Sequence, residues 1–155
     1  LVVAGLLMML GGFATVLDYL TVVPIFEPPA QAGPLAERIA RGQRSVLFAH
    51  HADYAAATTA ARPADQLDAI ERAAHHLLDA RLMMAWARAL HDTGDIERAR
   101  HVAARLREFR HPQAAAFFAE CDKAPASGAQ PPFQCLPPTV AFDWRDFRRD
   151  RRDRH

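Results

Sequence analysis

The chain has 155 residues, with 19 basic and 18 acidic side chains and a formal net charge of +1. That length accommodates one membrane segment and one small domain, and so even a charge balance argues against a dedicated nucleic-acid binder. Of the nineteen cationic residues eighteen are Arg, Lys123 being the exception, and six of the Arg fall in the last eleven positions. Arg-over-Lys usage with abundant Ala points to a GC-rich bacterial genome.

The first element is apolar. Leu1 to Leu17 carry no charged side chain, and the run ends at Asp18-Tyr19. A bilayer-spanning helix takes about 20 apolar residues, and a charge in hydrocarbon costs several kcal/mol. A signal peptide would have a basic stretch before the apolar run and small residues at its end. Here no Lys or Arg precedes the run, and Val16-Leu17-Asp18 is a poor cleavage site. A buried core helix would carry a polar stripe, and only Thr15 is polar here. The expectation is a truncated transmembrane helix, the end of the last membrane segment of a longer protein. From Asp18 to Glu37 there is no Lys or Arg. Cytoplasmic flanks are enriched in both, so the remainder of the chain is expected in the periplasm, with Tyr19 and Phe26 at headgroup level.

Pro24, Pro28, Pro29 and Pro34 follow. Each removes a backbone donor and pushes the preceding residue toward extended geometry, which predicts a semi-rigid stalk. From Leu35 the pattern is helical. Leu35, Ile39, Val46, Leu47 and Tyr54 predict one long first helix ending near Thr59. After Arg62-Pro63, Asp65 is a candidate cap for a second helix that buries Leu67, Ile70, Ala74, Leu77 and Leu78. A short third helix bears Met83, Trp86, Ala87 and Leu90. Thr93-Gly94-Asp95 turns the chain, and a fourth helix points Ile96, Ala99, Val102, Ala103, Leu106 and Phe109 inward. Pro112 stops it and begins a fifth with Phe117, Phe118 and Cys121. No segment alternates as a strand would.

The third and fourth helices resemble one tetratricopeptide repeat: Trp86 and Leu90, a Gly-Asp turn, then Ala99 and Ala103. The predicted fold is all-α, a truncated transmembrane helix followed by a small tetratricopeptide-like helical bundle with an irregular C-terminal tail. Residues 1–19 end the last transmembrane helix, 20–34 form the Pro-rich stalk, 35–123 the periplasmic repeat-like domain, and 124–155 a Pro-rich loop and basic tail.

Candidate chemistry is sparse. Cys121 and Cys135 are the two cysteines. In an oxidising compartment they are candidates for a disulfide worth about 3 kcal/mol in a loop of about 15 residues, and the alternative is two buried thiols. His50-His51 and His75-His76 are adjacent pairs, poorly placed for bidentate metal binding, and no HExxH is present. His75 with Asp79 has helix spacing shared by many solvated pairs. No metal, cofactor or catalytic residue is expected. Glu71, Asp79, Asp92 and Glu97 read as solvated. Arg38, Arg41 and Arg44 lie three apart beside the stalk, a candidate lipid- or pyrophosphate-contacting set whose alternative is a solvated basic stripe. Trp86 reads as core, and Trp144 as docking the tail on the bundle.

Three stretches carry a resemblance. They are the exit from Asp18-Tyr19 into Val23-Pro24-Ile25-Phe26-Glu27-Pro28-Pro29, the stretch Ala40-Arg41-Gly42-Gln43-Arg44-Ser45-Val46-Leu47-Phe48, and Pro132-Phe133-Gln134-Cys135 with Phe142-Asp143-Trp144-Arg145-Asp146-Phe147. Together they resemble the C-terminal region of bacterial O-antigen ligase/polymerase-like membrane proteins, in particular pilin-glycosylation O-oligosaccharyltransferases. The resemblance implies an inner-membrane enzyme that transfers glycan from a polyprenyl-pyrophosphate carrier to a periplasmic protein such as a pilin, or to lipid A core in the ligases. The family's catalytic loop lies upstream, so this part would be a non-catalytic accessory domain, with membrane, polyprenyl-linked glycan and a pilin-like acceptor as partners. The competing reading is a membrane-anchored tetratricopeptide-like interaction module with no enzymatic parent.

Overall fold

The computed structural model describes residues 2–123 and 130–141, and among them every regular element is helical, with no strand. The tail residues 142–155, including Trp144, lie outside the described residues, as does part of the Pro-rich loop, 124–129. The chain divides into two compact units, Leu1–Leu78 and Asp79–His155. The division falls inside the stretch 35–123 read above as one domain.

The first unit begins with helix α1, Val2–Tyr19, which has no buried residue. Its 18 residues measure about 27 Å at 1.5 Å per residue. The Thr15 hydroxyl donates back to the Gly11 carbonyl at 2.9 Å, so the one polar side chain within the apolar run is satisfied inside the helix. The helical stretch Val2–Phe26 is long and apolar enough to cross a membrane, and only 6% of its apolar window is buried. A core helix of a soluble domain would be mostly covered.

The segment expected as an extended stalk starts differently. Val23–Phe26 forms a short helix, α2, with Pro24 in its first turn, where the missing N–H has no helical partner to lose. Val22 and Ile25 are buried in a core cluster with Ile39, Ala52 and Ala55. Helix α3, Leu35–Gly42, buries Ile39 and Gly42. A Cβ on Gly42 would stand 2.7 Å from Ile25 Cδ1, 3.0 Å from the Ala52 Cβ and 3.3 Å from Val22 Cγ1. Glycine there is a matter of space, since it lets three segments meet.

The single long helix predicted from Leu35 to Thr59 is two helices. The chain leaves α3 after Gly42 and starts α4, Ala49–Thr59, beyond a turn. The reason is Asp18. Its carboxylate accepts from the Val46 and Leu47 amides at 3.0 and 2.8 Å and from the Ser45 hydroxyl at 2.9 Å. Ser45 Oγ in turn accepts from the Phe48 amide at 2.9 Å. Donors that would have continued the helical ladder are taken by side-chain oxygens.

Helix α4 packs on α5, Pro63–Ala73. Asp53, only 8% exposed, accepts from Gln43 Nε2 and from Arg72 Nε, each at 2.9 Å. A buried carboxylate needs such partners. Asp65 does not cap α5. The capping position is Arg62, and Asp65 lies in the first turn and pairs with the Arg62 guanidinium on the surface. The helix buries Ala69, Ile70 and Ala73, and it ends before Leu77 and Leu78. Leu78, expected inside, is 53% exposed.

In the second unit α6, Ala80–Asp92, and α7, Ile96–Glu108, form a hairpin. Asp79 caps α6 by accepting from the Leu82 amide at 2.8 Å, and Asp95 caps α7 through the Arg98 amide at 3.2 Å. Gly94 between them has φ +88°, a conformation that costs glycine nothing. Leu82, Met83, Trp86, Ala87 and Leu90 meet Ala99, Val102, Ala103 and Leu106 in the core. Phe109, predicted inward, is exposed, because α7 ends at Glu108 and Arg110 turns at φ 49°. A 3-10 turn at Pro112–Ala114 leads into α8, Ala115–Phe118, which buries Phe117, and a second such turn spans Phe133–Cys135.

Candidate functional site

A cluster of polar and aromatic groups surrounds the point where α1 ends. Asp18 is the first charge after the apolar run, and three neutral donors from the Ser45–Leu47 turn hold it. No cation is among those partners. Tyr19 meets the Phe48 ring edge-on, with centroids 5.3 Å apart. Phe48 stacks on His51 at 6.3 Å, and Phe26 meets His51 edge-on at 6.4 Å. His50 lies against His51 at 4.3 Å and His76 at 5.1 Å. The adjacent-pair reading of the histidines missed this contact, since His76 arrives from beyond α5.

The imidazoles suggest a metal, yet among the described residues no group of three or more His, Cys, Asp or Glu is arranged to hold one. His50 instead resists protonation. Burial foremost, then the neighbouring His51 and His76, lower its pKa below the ordinary 6.5, against a Leu47 backbone hydrogen bond and Asp53. His101 in the second unit is likewise lowered by burial and then by Arg105, against Glu108. Well above 6.5 these rings are neutral folded or unfolded and contribute no pH dependence. As the pH falls below 6.5 the unfolded chain takes up protons that the folded chain resists, so stability declines until the lowered folded pKa has been passed. The melting temperature is therefore expected to drop between about pH 7 and pH 5, and His50→Gln with His101→Gln should flatten the profile. An unchanged slope in that double variant would refute the assignment.

The three arginines do not form one stripe. Arg38 is half-buried and donates to the Pro24 carbonyl, tying α3 to α2. Arg41 and Arg44 are exposed, and their guanidinium groups have no hydrogen-bond or ion-pair partner among the described residues. Arg44 lies beyond the end of α3.

The second unit holds the disulfide. Cys121 and Cys135 are bonded, with Sγ atoms 2.07 Å apart. The turn that carries Cys135 is also placed by Phe133, stacked on His91 at 4.4 Å, and by Gln134 Nε2, which donates to the Phe117 carbonyl at 3.3 Å. An open cleft of about 510 Å³ beside it is lined by Arg107, Arg110, Gln134, Leu136 and Pro137 among others. No nucleophile and base meet there.

Three of the four carboxylates read as solvated, Glu97, Asp79 and Asp92, have partners in the structure. Glu97 accepts from the Thr139 amide at 2.8 Å, and that bond, with the Thr139 hydroxyl and Arg100, keeps its carboxyl below the usual range. Asp79 is a cap, and Asp92 lies 3.1 Å from the His91 ring. Trp86 is 4% exposed and is core, with no face open for a sugar.

No protein-family model matches the chain, and neither a curated protein nor a solved structure matches it.

Proposed function

We propose that this chain is the membrane-exit and periplasmic accessory region of an inner-membrane O-oligosaccharyltransferase of the O-antigen ligase-like type. Such an enzyme transfers glycan from a polyprenyl-pyrophosphate carrier to a periplasmic protein acceptor. The observation that carries the reading is the joint at Asp18, where an uncovered membrane-length helix is fastened within its own turn to a folded helical unit. It coincides with the Asp18-Tyr19 and Ala40-to-Phe48 stretches on which the family resemblance rests. The Cys121–Cys135 bond and the absence of Lys and Arg between Asp18 and Glu37 favour the periplasmic side. The accessory role rests on the resemblance, which implies that the family's catalytic loop belongs to a part of the enzyme other than the one this chain resembles. Arg41 and Arg44, exposed near the exit, suit the phosphates of the carrier or its membrane.

The α6–α7 hairpin favours a second reading, a membrane-anchored tetratricopeptide-like module that binds proteins and has no enzymatic parent. Its small residues Ala99 and Ala103 lie fully buried and its turn is closed by Gly94, as in such repeats. One hairpin is fewer than the three repeats a stable array takes.

Two measurements separate the readings. The coding sequence upstream of Leu1 should hold about ten further apolar segments for the transferase, against a start codon and a basic stretch for the anchored module. In a lipid-linked-oligosaccharide assay with pilin acceptor, this chain alone should transfer no glycan. Turnover by the chain alone would overturn the accessory role.

A further inference from the structure

We propose that the Ser45–Phe48 turn is a second membrane contact, which lays Val46 and Leu47 into the boundary between headgroups and acyl chains beside the end of α1. Val46 is 87% exposed and Leu47 54%, although the turn that carries them is held at every donor. Apolar side chains on a loose loop would need no explanation. Here the backbone is pinned and the side chains are left bare.

Depth follows from the pinning. Residues 1–17 carry no charge, and a charge within hydrocarbon is costly. Asp18 therefore marks the bilayer boundary. The Val46 and Leu47 amides lie 3.0 and 2.8 Å from its carboxylate, and that places their backbone at the same level. Tyr19, Leu20 and Phe26 are about half exposed and belong to the same region. The ring contacts from Tyr19 to Phe48, Phe48 to His51 and His51 to Phe26 join them into one apolar and aromatic collar. Aromatic and aliphatic groups at this depth are what an interfacial segment presents, with cations among the headgroups, and exposed Arg44 stands next to the turn. Continuity with the membrane helix makes the occupant lipid and not a protein.

The same geometry explains Asp18. A carboxylate at the edge of hydrocarbon is costly unless its oxygens are satisfied, and three donors from the turn satisfy it without a counter-ion. The turn and the charge keep each other at the boundary.

The test uses the full chain in vesicles of phosphatidylethanolamine and phosphatidylglycerol. A nitroxide is attached at Val46→Cys, and at Ala61→Cys as an exposed reference away from the collar; the native cysteines are bonded and do not label. The ratio of oxygen to nickel-chelate accessibility should be severalfold higher at position 46 than at 61. With Asp18→Ala, which removes the pin, the ratio at 46 should fall toward that at 61. A label at 46 as open to the nickel chelate as that at 61 overturns the proposal. Spin–spin broadening at 46 also overturns it, because the occupant would then be a second copy. An unchanged ratio in Asp18→Ala overturns the role of the pin. Co-flotation with vesicles reports insertion of α1 independently, and glycan transfer is not involved, so failure here is separable from failure of the transferase reading.

Discussion

Replacing Cys121 and Cys135 together with serine is expected to lower the stability of the second unit by about 3 kcal/mol. The bridge closes a separation of 14 residues, and in the chain-entropy account its main effect is to remove freedom from the unfolded chain. Other contacts also hold the segment that bears Cys135. Phe133 lies on His91 and near Phe117, Gln134 reaches the Phe117 carbonyl, and the Thr139 amide binds Glu97. These are short-range contacts of modest worth each, so the turn should keep its place in the folded state while the folded state becomes less populated. Denaturant unfolding of the full chain in detergent, followed by Trp86 fluorescence in a Trp144→Phe background, measures this directly. Thiol reductant should cause the same loss in the parent and none in the double serine variant. A change below about 0.5 kcal/mol, the ordinary range of neutral surface substitutions, would mean that the noncovalent contacts alone suffice. The result also bears on location, because a domain that depends on this bond is suited to an oxidising compartment.

What the sequence made legible was local. The apolar run, the α6–α7 hairpin and the helical character of the described residues each follow from periodicity within one segment. That periodicity puts Trp86, Leu90, Ala99, Val102, Ala103 and Leu106 inside, and all six are buried. Errors arose where a local pattern was carried past the point at which a remote group intervenes. Val46 and Leu47 fit a helix continuing from Ile39, but their amides bind Asp18, 28 and 29 residues earlier. The same break takes Arg44 off the helix that would have aligned it with Arg38 and Arg41. Leu78 and Phe109 continue the spacing of α5 and α7 beyond their last turns, and both are exposed. The caps at Asp79 and Asp95 were legible in principle, as Asp residues just before apolar helical runs, whereas Asp65 had the same look and is not a cap.

The joint at the membrane exit was the least legible part. Asp18 reads in sequence as the end of hydrophobicity, and nothing near it announces a partner. Its role depends on three donors brought back by the path through α2 and α3, which itself depends on Gly42 admitting Ile25 and Ala52 at close range. The joint of the first unit therefore arises from long-range packing, whereas the hairpin of the second is local.

That difference gives the second large prediction. Leu90→Ala is expected to cost about 2–5 kcal/mol, whereas Leu78→Ala should stay within about 0.5 kcal/mol. Leu90 is 0% exposed, and across the hairpin the fully buried residues include Ala99 and Ala103. Alanines have no side-chain length with which to fill a void, so the site should collapse little and the cost should lie toward the upper end. A unit of this size rarely has more than about 3–5 kcal/mol of core stability, so the variant should be largely unfolded even with its disulfide intact. Leu90→Met retains most of the volume and should cost less than about 1.5 kcal/mol, which separates loss of packing from loss of leucine as such. Near-ultraviolet dichroism together with Trp86 fluorescence reads all three variants on one scale. If Leu90→Ala were no worse than Leu78→Ala, the hairpin would not be the core of its unit, and the protein-binding reading built on it would fall as well.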